Sequence, residues 1–160
     1  MKRLLSKVLS EAKMLEFFPP FLFMGAKVRG VSKDYRKLHV TLPCRWYALN
    51  HHGTLFGGFL CAVADPLPSL LCSKIFPGHE VWTKANCVDF LRPARGILDI
   101  HVEITEADVE AIKKSLAAGG RTIHVFEFAF RDNKGKIVAE VKNSVFIRRG
   151  SKKTGFRSSS

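Results

Sequence analysis

The segment from Asn50 to Asp65 concentrates the residue types that could do chemistry. Asp65 follows the apolar residues Val63 and Ala64, and a carboxylate in such surroundings is poorly solvated and therefore a better base. Asp65 also precedes Pro66, and Asp followed by Pro is typical of the N-cap and first position of a helix. The residue is thus a candidate general base or nucleophile, with helix capping as the alternative.

Gly57 and Gly58 stand near the beginning of the longest apolar stretch of the chain, residues 54–75. The first amides of a helix have no intrahelical acceptor, and the helix dipole is positive at that end. Since glycine permits close approach, these amides could bind a carbonyl oxygen that gains negative charge, as in an oxyanion hole. Close packing of helix and sheet accounts for two glycines as well, so both interpretations stay open.

Four further polar side chains are candidates for the same chemistry. Asn50 could hold a carbonyl or orient water, or serve as an ordinary turn residue. Thr83 could position water or substrate, or reflect the preference of threonine for strands. His51 and His52 could polarise a carbonyl or be loop histidines without a role. Two adjacent histidines without a third ligand at metal spacing do not predict a metal site.

The apolar stretch 54–75 predicts a helix, because it is too long for a strand and few polar residues interrupt it. Such a helix is expected to be buried on nearly every side. Pro66 and Pro68 predict a kink or restart near Asp65. Alternating patterns predict six strands, at residues 25–32, 35–42, 80–91, 96–105, 121–131 and 136–148.

The two ends of the chain differ from this centre. Residues 3–18 predict an amphipathic helix, which Pro19 and Pro20 end. Residues 106–118 predict a short helix or a long connection between strands. We expect one domain over residues 1–149 and a disordered basic tail over 150–160. The fold class is therefore α+β, an antiparallel sheet wrapped around one long helix, with an extra N-terminal helix.

The net charge of +12 indicates an anionic partner: nucleic acid, a membrane surface or a polyanionic small ligand. No zinc-finger spacing or aromatic RNA-binding motif is present, so nucleic acid is not expected. The four cysteines lack C-x-x-C spacing and predict free thiols in a reducing compartment. No transmembrane segment or signal peptide is expected, which makes the cytoplasm the default location. The cations expected to meet phosphates are Lys84, Arg92, Arg95, Arg121, Arg148 and Arg149.

The run Asn50-His51-His52-Gly53-Thr54-Leu55-Phe56-Gly57-Gly58, followed by Ala64-Asp65-Pro66, resembles the hotdog-fold thioesterase superfamily. The most similar branch is PaaI-like, especially its uncharacterised domains that carry G-T-[LM]-F-G-G. Catalytic members show Asn, five residues, His-Gly-Gly, six residues, then Asp or Glu. The chain keeps this spacing at Asn50, Gly57, Gly58 and Asp65, and departs from it at Phe56, where a polarising histidine is expected. A second stretch of resemblance runs from Val81-Trp82-Thr83-Lys84 to Phe90-Leu91-Arg92-Pro93-Ala94.

The resemblance implies hydrolysis of an acyl-CoA thioester, with no cofactor besides the coenzyme A of the substrate. It also implies a homodimer, with a dimer of dimers as an extension, in which Asp65 of one chain faces the helix amides of the other. Phe56 would add apolar area to the substrate site. The alternatives are a non-catalytic acyl- or lipid-binding module and a basic protein that associates with membranes or nucleic acid.

Overall fold

The computed structural model describes residues 15–150, which form one antiparallel sheet with helices packed against it. The strands are β1 (Lys27–Val31), β2 (Lys37–Pro43), β3 (His79–Phe90), β4 (Ile97–Glu103), β5 (Arg121–Arg131) and β6 (Ile137–Arg149). Their order across the sheet is β1-β2-β4-β5-β6-β3, so β1 and β3 are the two edges. Each strand lies within about two residues of its predicted range, and the α+β class is confirmed.

The helices are α1 (Pro19–Met24), α2 (Gly57–Ala64), α3 (Pro66–Ile75) and α4 (Glu106–Gly119). Most of the predicted helix 3–18 lies outside the described residues, as do residues 151–160 of the tail. Its described end, Leu15–Phe17, is a single 3-10 turn. Pro19 and Pro20 do more than end a helix: they open α1, because proline suits the first helical positions, whose amides have no partner.

Residues 106–118 belong to a helix, which settles the alternative left open by the sequence. Thr105 and Asp108 form a reciprocal capping box at the start of α4, and Gly120 ends the helix in a left-handed conformation. Both devices satisfy backbone groups that a helix end leaves without partners. The helix buries Val109, Ile112 and Leu116 on one face.

The core lies between the sheet and the α2–α3 pair. Leu60, Val63, Leu67 and Leu71 of the helices belong to the same cluster of buried side chains as the inward residues of the strands. In β4 alternate residues are buried, and β2 follows the same pattern except that Thr41 on its outer face is buried as well. The sheet therefore has one apolar face against α2–α3 and one outer face.

The α2–α3 segment is buried on one side only, which corrects the expectation of burial all round. Ala62, Asp65, Ser73 and Lys74 are exposed on its other side. The segment Gly57–Ile75 is also long and apolar enough, by length and composition alone, to cross a membrane. A core helix meets the same test, and this one packs its buried face on the sheet.

All four cysteines are free, as predicted. Cys72 is buried, and burial raises the pKa of its thiol to about 12, so it serves as an apolar core residue. Cys87 differs because it is exposed on the edge strand β3.

Candidate functional site

The N-terminus of α2 is held by the loop before it. The side chain of Asn50 accepts hydrogen bonds from the amides of His52 (2.9 Å) and Thr54 (3.2 Å) and donates to the Thr54 hydroxyl (2.9 Å). The amide of Phe56 donates to the carbonyl of Ala48 (2.8 Å). Asn50 therefore shapes the loop, which was its alternative role, and the loop aims the start of α2.

The amides of Gly57 and Gly58 have no acceptor among residues 15–150. They occupy the first two positions of α2, where an amide has no intrahelical partner and the helix dipole is positive. These two amides are therefore free to bind an oxygen that gains negative charge.

A cavity of about 570 Å³, lined by both apolar and polar residues, lies on one side of this helix start. Five predicted site residues line it: Asn50, His52, Gly57, Arg92 and Arg95. Arg95 donates to the carbonyl of Gly53 (3.2 Å) and Arg92 to that of Ile137, so backbone oxygens hold both guanidinium groups in place. We name this the cationic cavity.

An apolar depression of about 310 Å³ lies on the other side. Its walls are Pro20, Phe23, Met24, Phe56, Gly58, Phe59 and Ala62. Phe56 is 54% exposed and Phe23 is 67% exposed, so large aromatic surfaces remain in contact with solvent. Phe56 is predicted to add apolar area beside the helix start, and its ring forms part of this depression.

Each glycine lies directly under an aromatic ring. A Cβ atom at Gly57 would come within 2.9 Å of the Phe90 ring, and one at Gly58 would overlap the Phe56 ring. Close packing therefore does require glycine here: Gly57 packs against Phe90 of strand β3, a contact between helix and sheet, and Gly58 packs against Phe56, which precedes the helix. The packing and amide-binding interpretations are compatible.

Asp65 lies at the opposite end of α2, away from both depressions. At 1.5 Å per residue, its position is about 12 Å along the helix from Gly57. Its side chain is exposed and makes no capping hydrogen bond to α3. In the single chain, neither the expected desolvation of the carboxylate nor the alternative capping role is present.

A network of polar side chains binds the backbone at the break between α2 and α3. Thr83 donates its hydroxyl to the carbonyl of Asp65 (2.7 Å), and Asn143 donates to the same carbonyl (3.0 Å). Asn86 donates to the carbonyl of Cys61 (3.1 Å) and accepts from Asn143 (3.2 Å). The carbonyl of Cys61 also accepts from the amide of Asp65 (3.0 Å), so these side chains add hydrogen bonds at the break rather than replace the amide hydrogens that Pro66 and Pro68 lack.

Asn86 and Asn143 were not among the predicted site residues, and the predicted role of Thr83 was a different one. Asn143 is fully buried, and its side-chain oxygen has no hydrogen-bond partner among the described residues. The available signal was the alternation of β6, in which Asn143 interrupts the apolar series of Val141 and Val145. A buried polar residue in such a series indicates a backbone group that needs a partner.

The remaining predicted residues lie elsewhere. His51 is exposed, with its ring 3.8 Å from that of His52. Lys84 lies at the irregularity of the edge strand β3, outside both depressions. Arg148 is paired with Glu80 (2.6 Å), and Arg121 and Arg149 lie at strand ends. Of the six predicted phosphate-binding cations, the structure brings Arg92 and Arg95 to the helix start.

Comparison with known proteins gives one family and a set of similar folds. A family described as "domain of unknown function (DUF4442)" matches residues 6–147. A search of curated proteins found no significant match.

Among solved structures, a Pseudomonas aeruginosa protein described as a probable thioesterase superposes with a TM-score of 0.77 and 19% identity, over 88% of this chain and 95% of that one. A Haemophilus influenzae thioesterase superposes with a TM-score of 0.71 and 18% identity, over 92% of this chain and 94% of that one. The PaaI protein from the phenylacetic acid degradation operon of E. coli superposes with a TM-score of 0.62 and 18% identity, over 92% of this chain and 91% of that one. These similarities confirm the predicted hotdog fold.

Proposed function

The chain belongs to the DUF4442 family of hotdog-fold domains, and from the surroundings of its α2 N-terminus we propose that it hydrolyses acyl-CoA thioesters. One observation carries the proposal: two amides without acceptors lie between a cationic cavity and an apolar depression. An acyl-CoA has the same order of parts, a phosphate-rich end, a thioester and an apolar chain.

Each part of the substrate has a chemical match. The phosphates of coenzyme A would meet Arg92 and Arg95, since guanidinium groups bind phosphate through two parallel hydrogen bonds. The thioester oxygen would accept from the amides of Gly57 and Gly58. The acyl chain would lie along the aromatic depression that includes Phe56. The structural relatives named thioesterases support this assignment as a fold-level analogy.

Asp65 cannot serve the amides of its own α2, because about 12 Å of helix separates them. We propose that a second copy of the chain brings its Asp65 to this helix start. Strand β3 supports such pairing, since it is a 12-residue edge strand with exposed Trp82 and Phe90, and a long unpaired edge favours addition of another strand. The exposed side of α2–α3 would be covered in the same homodimer.

The reaction follows from these positions. Asp65 of one copy would act as general base or nucleophile. As a base it takes a proton from water, and the water oxygen bonds to the thioester carbon. The carbonyl oxygen becomes negative and is stabilised by the two amides of the other copy. The carbon–sulfur bond then breaks and Asp65 returns its proton to the departing sulfur, which releases a carboxylic acid and the thiol of coenzyme A and restores the carboxylate.

Hydrolysis of a series of acyl-CoAs by wild type and Asp65→Asn tests the proposal. We expect turnover of at least one chain length, and a loss of about 100-fold or more in kcat for Asp65→Asn, the magnitude of losing a general base. Glu140→Gln is the matched control, because Glu140 is also exposed and has no hydrogen-bond partner among the described residues, and it lies on the interior strand β6, away from the proposed site and edge. A wild type without turnover at any chain length would exclude the enzyme, and an unimpaired Asp65→Asn would exclude the mechanism.

One observation favours a second candidate, a non-catalytic acyl-binding module. Phe56 occupies the position of the expected histidine and cannot donate a hydrogen bond to a carbonyl, while it does enlarge the apolar depression. Calorimetric binding of a non-hydrolysable acyl-CoA thioether, together with absent thioester hydrolysis, would favour this function. The membrane- or nucleic-acid-binding alternative depends mainly on residues outside the described range and stays a prediction.

A further inference from the structure

The outer face of the sheet carries a cluster of potential metal ligands that the proposed reaction does not use. His39 of β2 stands directly opposite His101 of β4, and Asp99 lies two residues before His101 on the same face. The neighbouring residues Val40 and Ile100 point into the core. The cluster is therefore on the opposite side of the sheet from α2–α3.

The three side chains converge. The Nε2 atom of His39 lies 2.7 Å from Oδ1 of Asp99. The rings of His39 and His101 are stacked, with centroids 4.1 Å apart and an angle of 17° between planes. One ligand atom from each residue can be chosen so that all three lie within 4.8 Å of one another.

We propose that His39, Asp99 and His101 bind a first-row transition-metal dication, with Zn²⁺ as the probe. Two imidazoles and one carboxylate are a donor set that Zn²⁺, Ni²⁺ and Co²⁺ accept. Two ligands at tetrahedral zinc lie about 3.4 Å apart, so the set closes when the exposed His101 ring rotates inward and the His39 and Asp99 ligand atoms, now 2.7 Å apart, separate slightly. The ion would join β2 to β4 and keep at least one position open for water.

The surroundings leave room for an ion. Gly30 of β1 faces His39, and a Cβ atom there would meet no atom within 4 Å, so space for further ligands exists beside the cluster.

The same chain contains a built-in comparison. His124 and Asp108 also form a hydrogen-bonded pair, at 2.8 Å, but no third ligand converges on them among the described residues. A hydrogen-bonded His–Asp pair such as His124–Asp108 therefore does not by itself indicate a metal site. The outer-face cluster differs from it by its second histidine, His101. His101 is exposed, so its removal should leave the fold intact.

Isothermal titration calorimetry of the untagged full-length chain tests the proposal. Zn²⁺ is titrated first, and Ni²⁺ serves as a second ion. The variants are His101→Ala and Asp99→Asn. The controls are His52→Ala, which removes the other close histidine pair, and Cys87→Ser, which removes the exposed thiol. Thermal unfolding with and without saturating Zn²⁺ gives a second readout.

We expect one equivalent of metal in wild type and in both controls, and at least about tenfold weaker binding in His101→Ala and Asp99→Asn, since even an outer partner of a ligand contributes that much. Saturating Zn²⁺ should raise the Tm of wild type by about 5 °C and leave that of His101→Ala unchanged. No binding by wild type, or equal binding by His101→Ala, would overturn the proposal. Loss of the metal in either control would place the ion elsewhere and overturn it as well.

Discussion

At the residue scale, the two glycines of α2 show how packing and chemistry share one position. Gly57 and Gly58 lie under the rings of Phe90 and Phe56, and their amides have no acceptor among residues 15–150. The rings are more than half exposed, so they can move at low cost. A substitution at Gly58 should therefore act through the Phe56 ring rather than through the core.

Gly58→Ala tests this coupling by a double-mutant cycle with Phe56→Ala. Alanine in a helix is favoured over glycine by about 1 kcal/mol. In the Phe56→Ala background we expect most of that gain in the free energy of unfolding, whereas in wild type displacement of the ring should cancel it. Urea denaturation of the four proteins measures the coupling. Equal effects of Gly58→Ala in both backgrounds would contradict contact between the ring and the glycine.

At the element scale, the break between α2 and α3 is stabilised from the sheet. Pro66 and Pro68 interrupt the helix, and Thr83, Asn86 and Asn143 of two strands bind the carbonyls at the break. This arrangement fixes the backbone of Asp65 while its carboxylate points into solvent. Thr83 thus has a defined task in the folded chain, whatever it does for a substrate.

Thr83→Val removes the hydroxyl with little change in shape. We expect the free energy of unfolding to fall by about 1 kcal/mol, the usual net value of a hydrogen bond. Thr122→Val is the control, because Thr122 is half-buried on β5 and its hydroxyl has no partner among the described residues. Chemical denaturation compares the two, and equal losses would mean that the bond to Asp65 contributes nothing specific.

The start of α4 gives a prediction that depends on pH. Burial alone would raise the pKa of Asp108, but hydrogen bonds from Thr105 and His124 outweigh it and leave the pKa below its ordinary value. A carboxyl group with a lower pKa in the folded state stabilises the protein above its unfolded pKa of about 3.9, and this stabilisation is lost as the pH falls through the folded value.

Asp108→Asn should therefore lower the free energy of unfolding by about 1 kcal/mol at pH 7, and the difference from wild type should shrink below about pH 4. Glu110→Gln is the comparison, since Glu110 forms an exposed ion pair with Lys113 (2.8 Å), which contributes at most about 0.5 kcal/mol. Denaturation curves at pH 7 and pH 3 give the free energy of unfolding of wild type and of the two variants. A difference that stays constant with pH would contradict the role of the charge.

At the scale of the whole molecule, the proposed site is divided between the two ends of α2, and a second copy is needed to complete it. Two surfaces could join the copies: the edge of β3, and the outer-face apolar residues Ile123 and Val125, which are about half exposed. The edge is the better candidate because its backbone groups lack a neighbouring strand.

We expect sedimentation to give a mass of two 17.9 kDa chains. Cys87→Lys, on the edge strand, should weaken the dimer at least tenfold and lower thioesterase activity with it, because like charges would meet across the new strand pair. Val125→Lys, on the interior strand β5, should leave the dimer intact. The reverse pattern would assign the interface to the outer face of the sheet.

Much of the fold was predictable because it depends on patterns that are local in the chain. Alternation located every strand, the length of the apolar stretch identified the helix, and Pro66 and Pro68 located its break. Each of these features arises from backbone geometry and side-chain periodicity within a few residues. The cluster of Asn50, Gly57, Arg92 and Arg95 was also predictable as a set of candidates, although not as the lining of one cavity.

What only the tertiary structure decided are relations between residues far apart in sequence. Sheet pairing brought His39 opposite His101 and placed Asn143 against the carbonyl of Asp65, and neither contact leaves a local pattern. The helix rise separated Asp65 from Gly57, while one-sided packing left Asp65 exposed. The sequence by itself determined the elements and the candidate residues. Strand order and packing decided which candidates meet in one chain, because those depend on how the apolar faces close over a common core.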